Sequence, residues 1–286
     1  MLKTTPLVLA ALLAGRFAPA LAQNTPDENN ENADAPFVRH IRPDRPGQTI
    51  TAGVLRPGEF QLELGAQQLR PGSAGALNPL VSTGTLRIGF WNSMELRVSQ
   101  AYAFQPVLSL GDAAPAGTNS SLSPGRWQAL VVGTKLMLTP DRASRFQASI
   151  LAEAAVPATG QGERGQLGWA PAGRLLLSQQ LGQRAALEAN AGFGLAGLTA
   201  EDYERGEFVG TLALVAPLGE RAGYFAEAYA RGRDTRTTGA TAGLYFRPWT
   251  GLRFDASLGR VLAGPAAGAT TMGLGLALRL GGNLGQ

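Results

Sequence analysis

Phe60-Gln61-Leu62-Glu63-Leu64-Gly65-Ala66-Gln67 is the stretch from which the fold can be read. Successive side chains of an extended chain point to opposite sides. Phe60, Leu62, Leu64 and Ala66 therefore share one face, and Gln61, Glu63, Gly65 and Gln67 share the other. A period of two with one unbroken apolar face identifies a half-buried strand.

The alternation returns along the chain. Leu86, Ile88 and Phe90 alternate with Arg87 and Gly89, and Met94, Leu96 and Val98 with Glu95, Arg97 and Ser99. Leu130, Val132, Thr134, Leu136 and Leu138 oppose Gly133 and Lys135; Phe146, Ala148, Ile150 and Ala152 oppose Gln147, Ser149 and Glu153. Leu175 and Leu177 oppose Arg174 and Ser178, while Leu187, Ala189, Ala191 and Phe193 oppose Glu188, Asn190 and Gly192. Strands around Phe208–Ala216, Tyr224–Arg231 and Thr238–Arg247 follow. Leu252, Phe254, Ala256 and Leu258 then oppose Arg253, Asp255 and Ser257, and Met272, Leu274, Leu276, Leu278 and Leu280 oppose Gly273, Gly275, Ala277 and Arg279. Each segment has roughly the 9–11 residues that cross a bilayer at a tilt.

The links add an independent signal. Tight turns are expected at Asn92-Ser93, Gly182-Gln183, Gly219-Glu220 and Pro248–Thr250, with a longer one at Pro140–Ala143. Between them lie long links at Arg70–Ser82, Gln105–Pro124, Ala158–Ala170 and Leu198–Gly206; the short link near Gly232–Asp234 breaks the pattern. Short and long connections alternate in outer-membrane barrels. The expected fold is all-β, a transmembrane antiparallel up-and-down β-barrel of about twelve strands.

Composition agrees. Gly numbers 38 and charged residues make up only 16% of the chain, against about a quarter in soluble domains. An Arg or Lys facing lipid at mid-depth costs about 2–4 kcal/mol. The phase of the strands turns Glu63, Arg87, Glu95, Arg97, Lys135, Glu153, Arg174, Glu188, Glu227, Arg253, Asp255 and Arg279 inward instead. These are the lumen-facing candidates. They form either a polar conduction path or a salt-bridged filling, and the two signs are balanced rather than arranged as a ring of one charge. Trp91, Trp127, Trp169 and Trp249, with Tyr102 and Tyr224, fall near strand ends, where interfacial girdles form.

The chain opens with an export signal: Lys3, the apolar run Pro6–Leu13, and Ala20-Leu21-Ala22 as a small-residue cleavage site. That run is too short to span a bilayer as a helix, which takes about 20 residues. The expected organisation is a signal peptide over 1–22, a flexible tail over 23–36, a pre-barrel segment over 37–57 and the barrel over 58–282. Residues Asn24–Pro36 are polar and acidic with almost nothing to bury. The expected location is the outer membrane of a Gram-negative envelope, with outer-membrane lipid, the barrel-assembly machinery and a small-molecule substrate as partners.

Other function classes fit poorly. There is no cysteine, hence no disulfide or thiolate metal site. Of 25 Lys and Arg, Lys3 and Arg16 leave with the signal peptide, so 23 face 21 Asp and Glu, a balance of +2 scattered along the chain. Nucleic-acid binding would cluster its basic residues. His40 is the single histidine and precedes the first strand, so no catalytic residues, no metal site and no cofactor are expected. Gly192–Gly197 matches GxGxxG, but no helix starts inside it, as a dinucleotide site requires.

Where the barrel begins, Ile41-Arg42-Pro43-Asp44-Arg45-Pro46 and Val54-Leu55-Arg56-Pro57-Gly58-Glu59-Phe60-Gln61-Leu62-Glu63-Leu64-Gly65 resemble the opening of a family of outer-membrane transporters, some labelled phenol meta-pathway degradation proteins. Glu95-Leu96-Arg97 after its tight turn, Phe225–Tyr229 and Leu252–Ala256 are also similar to that family. The resemblance implies a channel or transporter for small molecules, apolar or aromatic compounds among them. It also implies that Arg42, Asp44 and Arg45 belong to a fixed segment that plugs or braces the periplasmic mouth. A structural or adhesion barrel with a non-conducting lumen is the alternative, with a barrel hydrolase third.

Overall fold

A strand with one apolar face still carries unpaired N–H and C=O groups along both edges, and only closure of the sheet satisfies them all in lipid. The computed structural model describes residues 41–44, 47–70, 80–104, 126–141, 143–157, 159, 168–182, 185–195, 198, 206–232 and 236–281. The expected signal peptide and tail, His40, Arg45 and most of the long links lie outside them.

The strands are β1 (Phe60–Arg70), β2 (Leu80–Trp91), β3 (Met94–Phe104), β4 (Arg126–Trp127), β5 (Val131–Met137), β6 (Phe146–Ala155), β7 (Ala170–Leu181), β8 (Ala185–Gly194), β9 (Glu207–Pro217), β10 (Ala222–Gly232), β11 (Thr237–Trp249), β12 (Leu252–Ala263) and β13 (Thr270–Leu280). Both β4 and β5 run antiparallel along β3, one on Tyr102–Ala103 and the other on Met94–Ser99, so together they form one interrupted stave. Every other strand pairs antiparallel with its sequence neighbour, and β1 pairs with β13 from Phe60↔Leu280 to Arg70↔Thr270. The result is a closed barrel of twelve staves.

Some boundaries differ from the sequence reading: Leu130 and Leu138, expected on a strand, flank β5. β2 starts at Leu80, inside the link expected to run to Ser82. β11 continues to Trp249, with a register shift between Phe246 and Trp249, so only Thr250-Gly251 separates it from β12. Pro248 has no N–H to give to the ladder, and an irregularity of this kind is where a strand tolerates it.

The two faces are chemically distinct. Phe60, Leu62, Leu64, Leu96, Ile150, Leu175, Leu212, Leu244, Phe254 and Leu274 are exposed on the outer face. Between them Gln61, Glu63, Glu95, Ser149 and Asp255 are buried. Aromatic residues gather at both rims: Phe60, Trp91, Phe146 and Trp249 at the short-turn end, and Phe104, Trp127, Trp169 and Phe208 at the other. Tyr102 packs edge-on against Trp127 at 4.9 Å.

Leu212, in the middle of β9, is 47% exposed on the outer face. Leu212→Arg is expected to destabilise the barrel by about 2–4 kcal/mol in urea titrations of vesicle-folded protein. An unchanged midpoint would mean that this face does not meet lipid.

Candidate functional site

The inward charges meet residues 41–44 and 47–56, a segment inside the barrel. Arg87 on β2 is 1% exposed and central. Its guanidinium donates to Glu95 at 2.8 and 2.9 Å, to Glu63 at 3.1 Å, and to the carbonyls of Arg42 and Gly53, each at 3.2 Å. The Asp44 carboxylate lies 3.5 Å from Arg87 and 3.5 Å from Lys135, and forms a short ion pair with Arg97. Lys135 is also 3.3 Å from Glu95, and Arg97 is 3.5 Å from Glu153. Burial by itself would raise the Asp44 carboxyl, but Arg87, Lys135 and Arg97 outweigh it and hold the group well below the usual carboxylate range.

From Gly47 onward the segment sweeps around the inner wall. The Glu227 carboxylate on β10 accepts from the Gln48 and Thr49 amides at 2.7 and 2.6 Å, and a Cβ on Gly47 would collide with it. Thr49 Oγ1 bonds Thr211 on β9 at 2.9 Å. The Asn190 amide on β8 both accepts from Ile50 N at 2.6 Å and donates to Ile50 O at 2.8 Å. Ala52 N donates to Ser178 on β7 at 3.1 Å, and Ser149 on β6 donates to Ala52 O at 2.5 Å. Lys135 on β5 donates to Thr51 O and Gly53 O, and Leu55 N donates to Glu95 on β3 at 2.9 Å. Ile50 and Ala52 pack with Leu151 and Leu176 in a small buried apolar cluster. The segment leaves through a turn at Arg56–Glu59, where Gly58 takes φ +80° and Gly58 N bonds Gly89 O at 2.9 Å.

The remaining sequence candidates are dispersed. Glu188 forms a short ion pair with Arg42. Arg279 is half-buried and donates to Gln61 at 2.8 and 3.0 Å. Arg253 lies 4.1 Å over the Tyr245 ring, the Asp255 carboxylate rests against Gly275, and half-buried Arg174 packs over Gly192. Glu63, Arg87, Glu95, Arg97, Lys135 and Glu153 thus come together around Asp44, while Arg174, Glu227, Arg253 and Asp255 stand apart from that cluster.

Several contributors escaped the sequence reading. Leu151 and Leu176 are buried inward on strands whose apolar stripe faces out. Alternation assigns them to the polar face, and only the segment lying against them explains apolar side chains there. Tyr245 and Phe225 are likewise buried inside. Gln61, Ser149, Ser178 and Asn190 sat on the polar face of the pattern, yet nothing local marked them as ligands of a peptide backbone.

Space in the lumen is uneven. Beside the segment lie cavities of about 40 and 30 Å³, the first lined by Arg42, Gly53, Leu55, Arg87 and Arg279, the second by Arg42, Gly47, Glu188 and Glu227. Each has room for a few waters. Toward the long-link end a chamber of about 380 Å³ opens, lined by Gly47, Gln67, Thr83, Thr85, Ala129, Val131 and neighbours, with no ionisable group among the described lining residues. Among the described residues no group of three or more His, Cys, Asp or Glu could hold a metal ion.

No family model and no curated protein matches the sequence. Solved structures do share the fold. An outer membrane channel from Pseudomonas putida F1 aligns at a TM-score of 0.56 and 15% identity, over 82% of this chain and 99% of that one. The NanC porin aligns at 0.55 and 5% identity, over 77% and 100%. The KdgM porin in complex with disordered oligogalacturonate aligns at 0.52 and 7% identity, over 76% and 98%. The architecture is that of outer-membrane channel barrels.

Asp44→Asn leaves Arg87, Arg97 and Lys135 short of a buried partner, and is expected to weaken seating of the segment by about 3–5 kcal/mol. Amide exchange at Ile50, Ala52 and Leu55 reads the loss. A carboxyl held below its unfolded value stabilises above about pH 4, and that contribution disappears as pH falls toward the folded value. The difference in protection between wild type and Asp44→Asn should therefore persist at pH 5 and shrink below pH 3. A difference that vanishes by pH 5 would contradict the role given to Asp44.

Proposed function

We propose that this chain is an outer-membrane channel for small molecules, closed in the state described here by its own residues 41–56. The observation that carries the reading is the contrast in free volume. Cavities of about 40 and 30 Å³ lie beside the segment, against about 380 Å³ in the chamber beyond it. Spaces of that size admit a few waters but no solute of several heavy atoms, which passes there only if the segment moves. The shared fold of channels and porins supports the same reading.

The chamber's lining points to uncharged solutes, apolar or aromatic compounds among them. A charged solute would lose hydration there without an opposite charge to replace it. Residues 1–22 act as the export signal, residues 23–36 as a tail leading to the segment, and the barrel-assembly machinery inserts the strands. The plug role includes Arg42 and Asp44 through their ion pairs, and extends to Arg45 by its place in the sequence.

A filled structural barrel is the second reading, favoured by the density of ion pairs around Arg87. Deletion of residues 41–56 separates the two. For a channel, planar-bilayer recordings should change from silent to resolved open steps, and proteoliposomes should admit small neutral sugars. A deletion variant that folds, judged by heat-modifiable gel mobility, yet stays silent would favour the structural barrel. Since the deletion strands Arg87 and Lys135, Asp44→Asn serves as a second variant; it should flicker open in the full chain.

A further inference from the structure

The side chains that hold the segment address its backbone more than its own side chains. Glu63 takes the Asp44 amide at 3.0 Å, Glu227 the amides of Gln48 and Thr49, and Glu95 that of Leu55. Asn190 takes both the N–H and the C=O of Ile50, as a neighbouring strand would. Ser178 and Ser149 do the same for Ala52 as a pair. Lys135 and Arg87 cap the carbonyls of Thr51, Gly53 and Arg42. Main-chain bonds of this kind give affinity with little sequence demand, as in strand-addition recognition.

Side-chain readout is found at a few places. Asp44 meets Arg87, Arg97 and Lys135; Arg42 meets Glu188; Thr49 meets Thr211; and Ile50 with Ala52 fills the pocket of Leu151 and Leu176. A brace selected for stability alone gains more from apolar packing than from buried ion pairs, whose attraction is offset by desolvation. A polar interior that reads backbone suits an occupant that can be exchanged.

We propose that the lumen is a peptide-binding site occupied by the chain's own segment, and that an extended peptide from another protein can take its place. That peptide would present an aspartate followed, six and eight residues on, by apolar side chains no larger than isoleucine and alanine, the spacing of Asp44, Ile50 and Ala52. It would enter from the short-turn end, where the segment joins β1 through the exposed turn Arg56–Gly58. This goes beyond the channel reading, because occupancy is defined by binding and not by flux.

The test keeps the full chain intact through folding. A protease recognition sequence inserted between Pro57 and Gly58, both exposed, allows the covalent link to be cut afterwards in nanodiscs. A fluorescent synthetic peptide of residues 41–57 is then added and its uptake followed by anisotropy. Saturable exchange with the native segment is expected. Carrying Asp44→Asn on the peptide should weaken uptake by about a hundredfold or more. Replacing Gln48 and Thr51 together by Ala should change it by less than about tenfold, since the barrel reaches these two positions through the Gln48 amide and the Thr51 carbonyl. No exchange within a day at 37 °C, or a loss on the double Ala peptide as large as that of Asp44→Asn, would overturn the proposal and leave a fixed brace. Bilayer recordings of the same cut protein judge the channel reading separately: exchange without conductance sinks the channel alone, and conductance without exchange sinks the peptide site alone.

Discussion

The guanidinium of Arg87 ties three strands to the segment within them. It reaches Glu63 on β1, Glu95 on β3, and the carbonyls of Arg42 and Gly53, with Asp44 at 3.5 Å. At 1% exposure it is cut off from bulk solvent. A buried guanidinium is tolerated only where its donors are filled and its charge is matched. Removing one acceptor strands the cation and also frees the backbone that the cation held. Lys135, fully buried on β5, repeats the arrangement with Asp44, Glu95, Thr51 O and Gly53 O. Barrel closure and the course of residues 41–56 are therefore parts of one electrostatic arrangement.

That arrangement depends on the outer face. Lipid makes charge costly on one side of every strand, so the charged side chains in the middle of the staves point inward, and outward-phased Arg70 and Arg260 stand exposed near the long-link ends of theirs. Twelve staves leave an interior small enough for side chains from opposite walls to approach a single strand-like segment. Glu227 on β10 and Glu95 on β3 both take amides of the same eight-residue stretch, Gln48–Leu55. The same economy of space reduces the gaps beside the segment to a few waters. The neutral chamber on the far side has room because small side chains, Thr83, Thr85, Ala129 and Val131 among them, line it.

Much of this was legible beforehand. Alternation, turn spacing and the avoidance of charge in lipid predicted a barrel of about twelve staves, and the closed sheet agrees. The errors were local: β2 begins early, and β11 absorbs Pro248 through an irregularity in its ladder. The candidate site was less legible. Arg42 and Asp44 were singled out through a resemblance, whereas Ile50, Thr51 and Ala52 carry no motif, and Leu151 and Leu176 contradict the polar phase of their strands.

Strand period, face and the sign of each side chain's environment follow from residues one or two apart, because the pleat is a local property of an extended chain. By itself the sequence therefore determined a barrel with an apolar outside and a charged inside. Which inward groups meet was decided only by the tertiary structure. Asp44 lies 43 residues from Arg87 and 91 from Lys135 along the chain, and their approach depends on the shared register of several strand pairs and on closure between β1 and β13. The placement of residues 41–44 and 47–56 in the lumen is likewise a property of the closed sheet. Its hydrogen-bond partners come from nine strands, and only closure brings those strands around one chain.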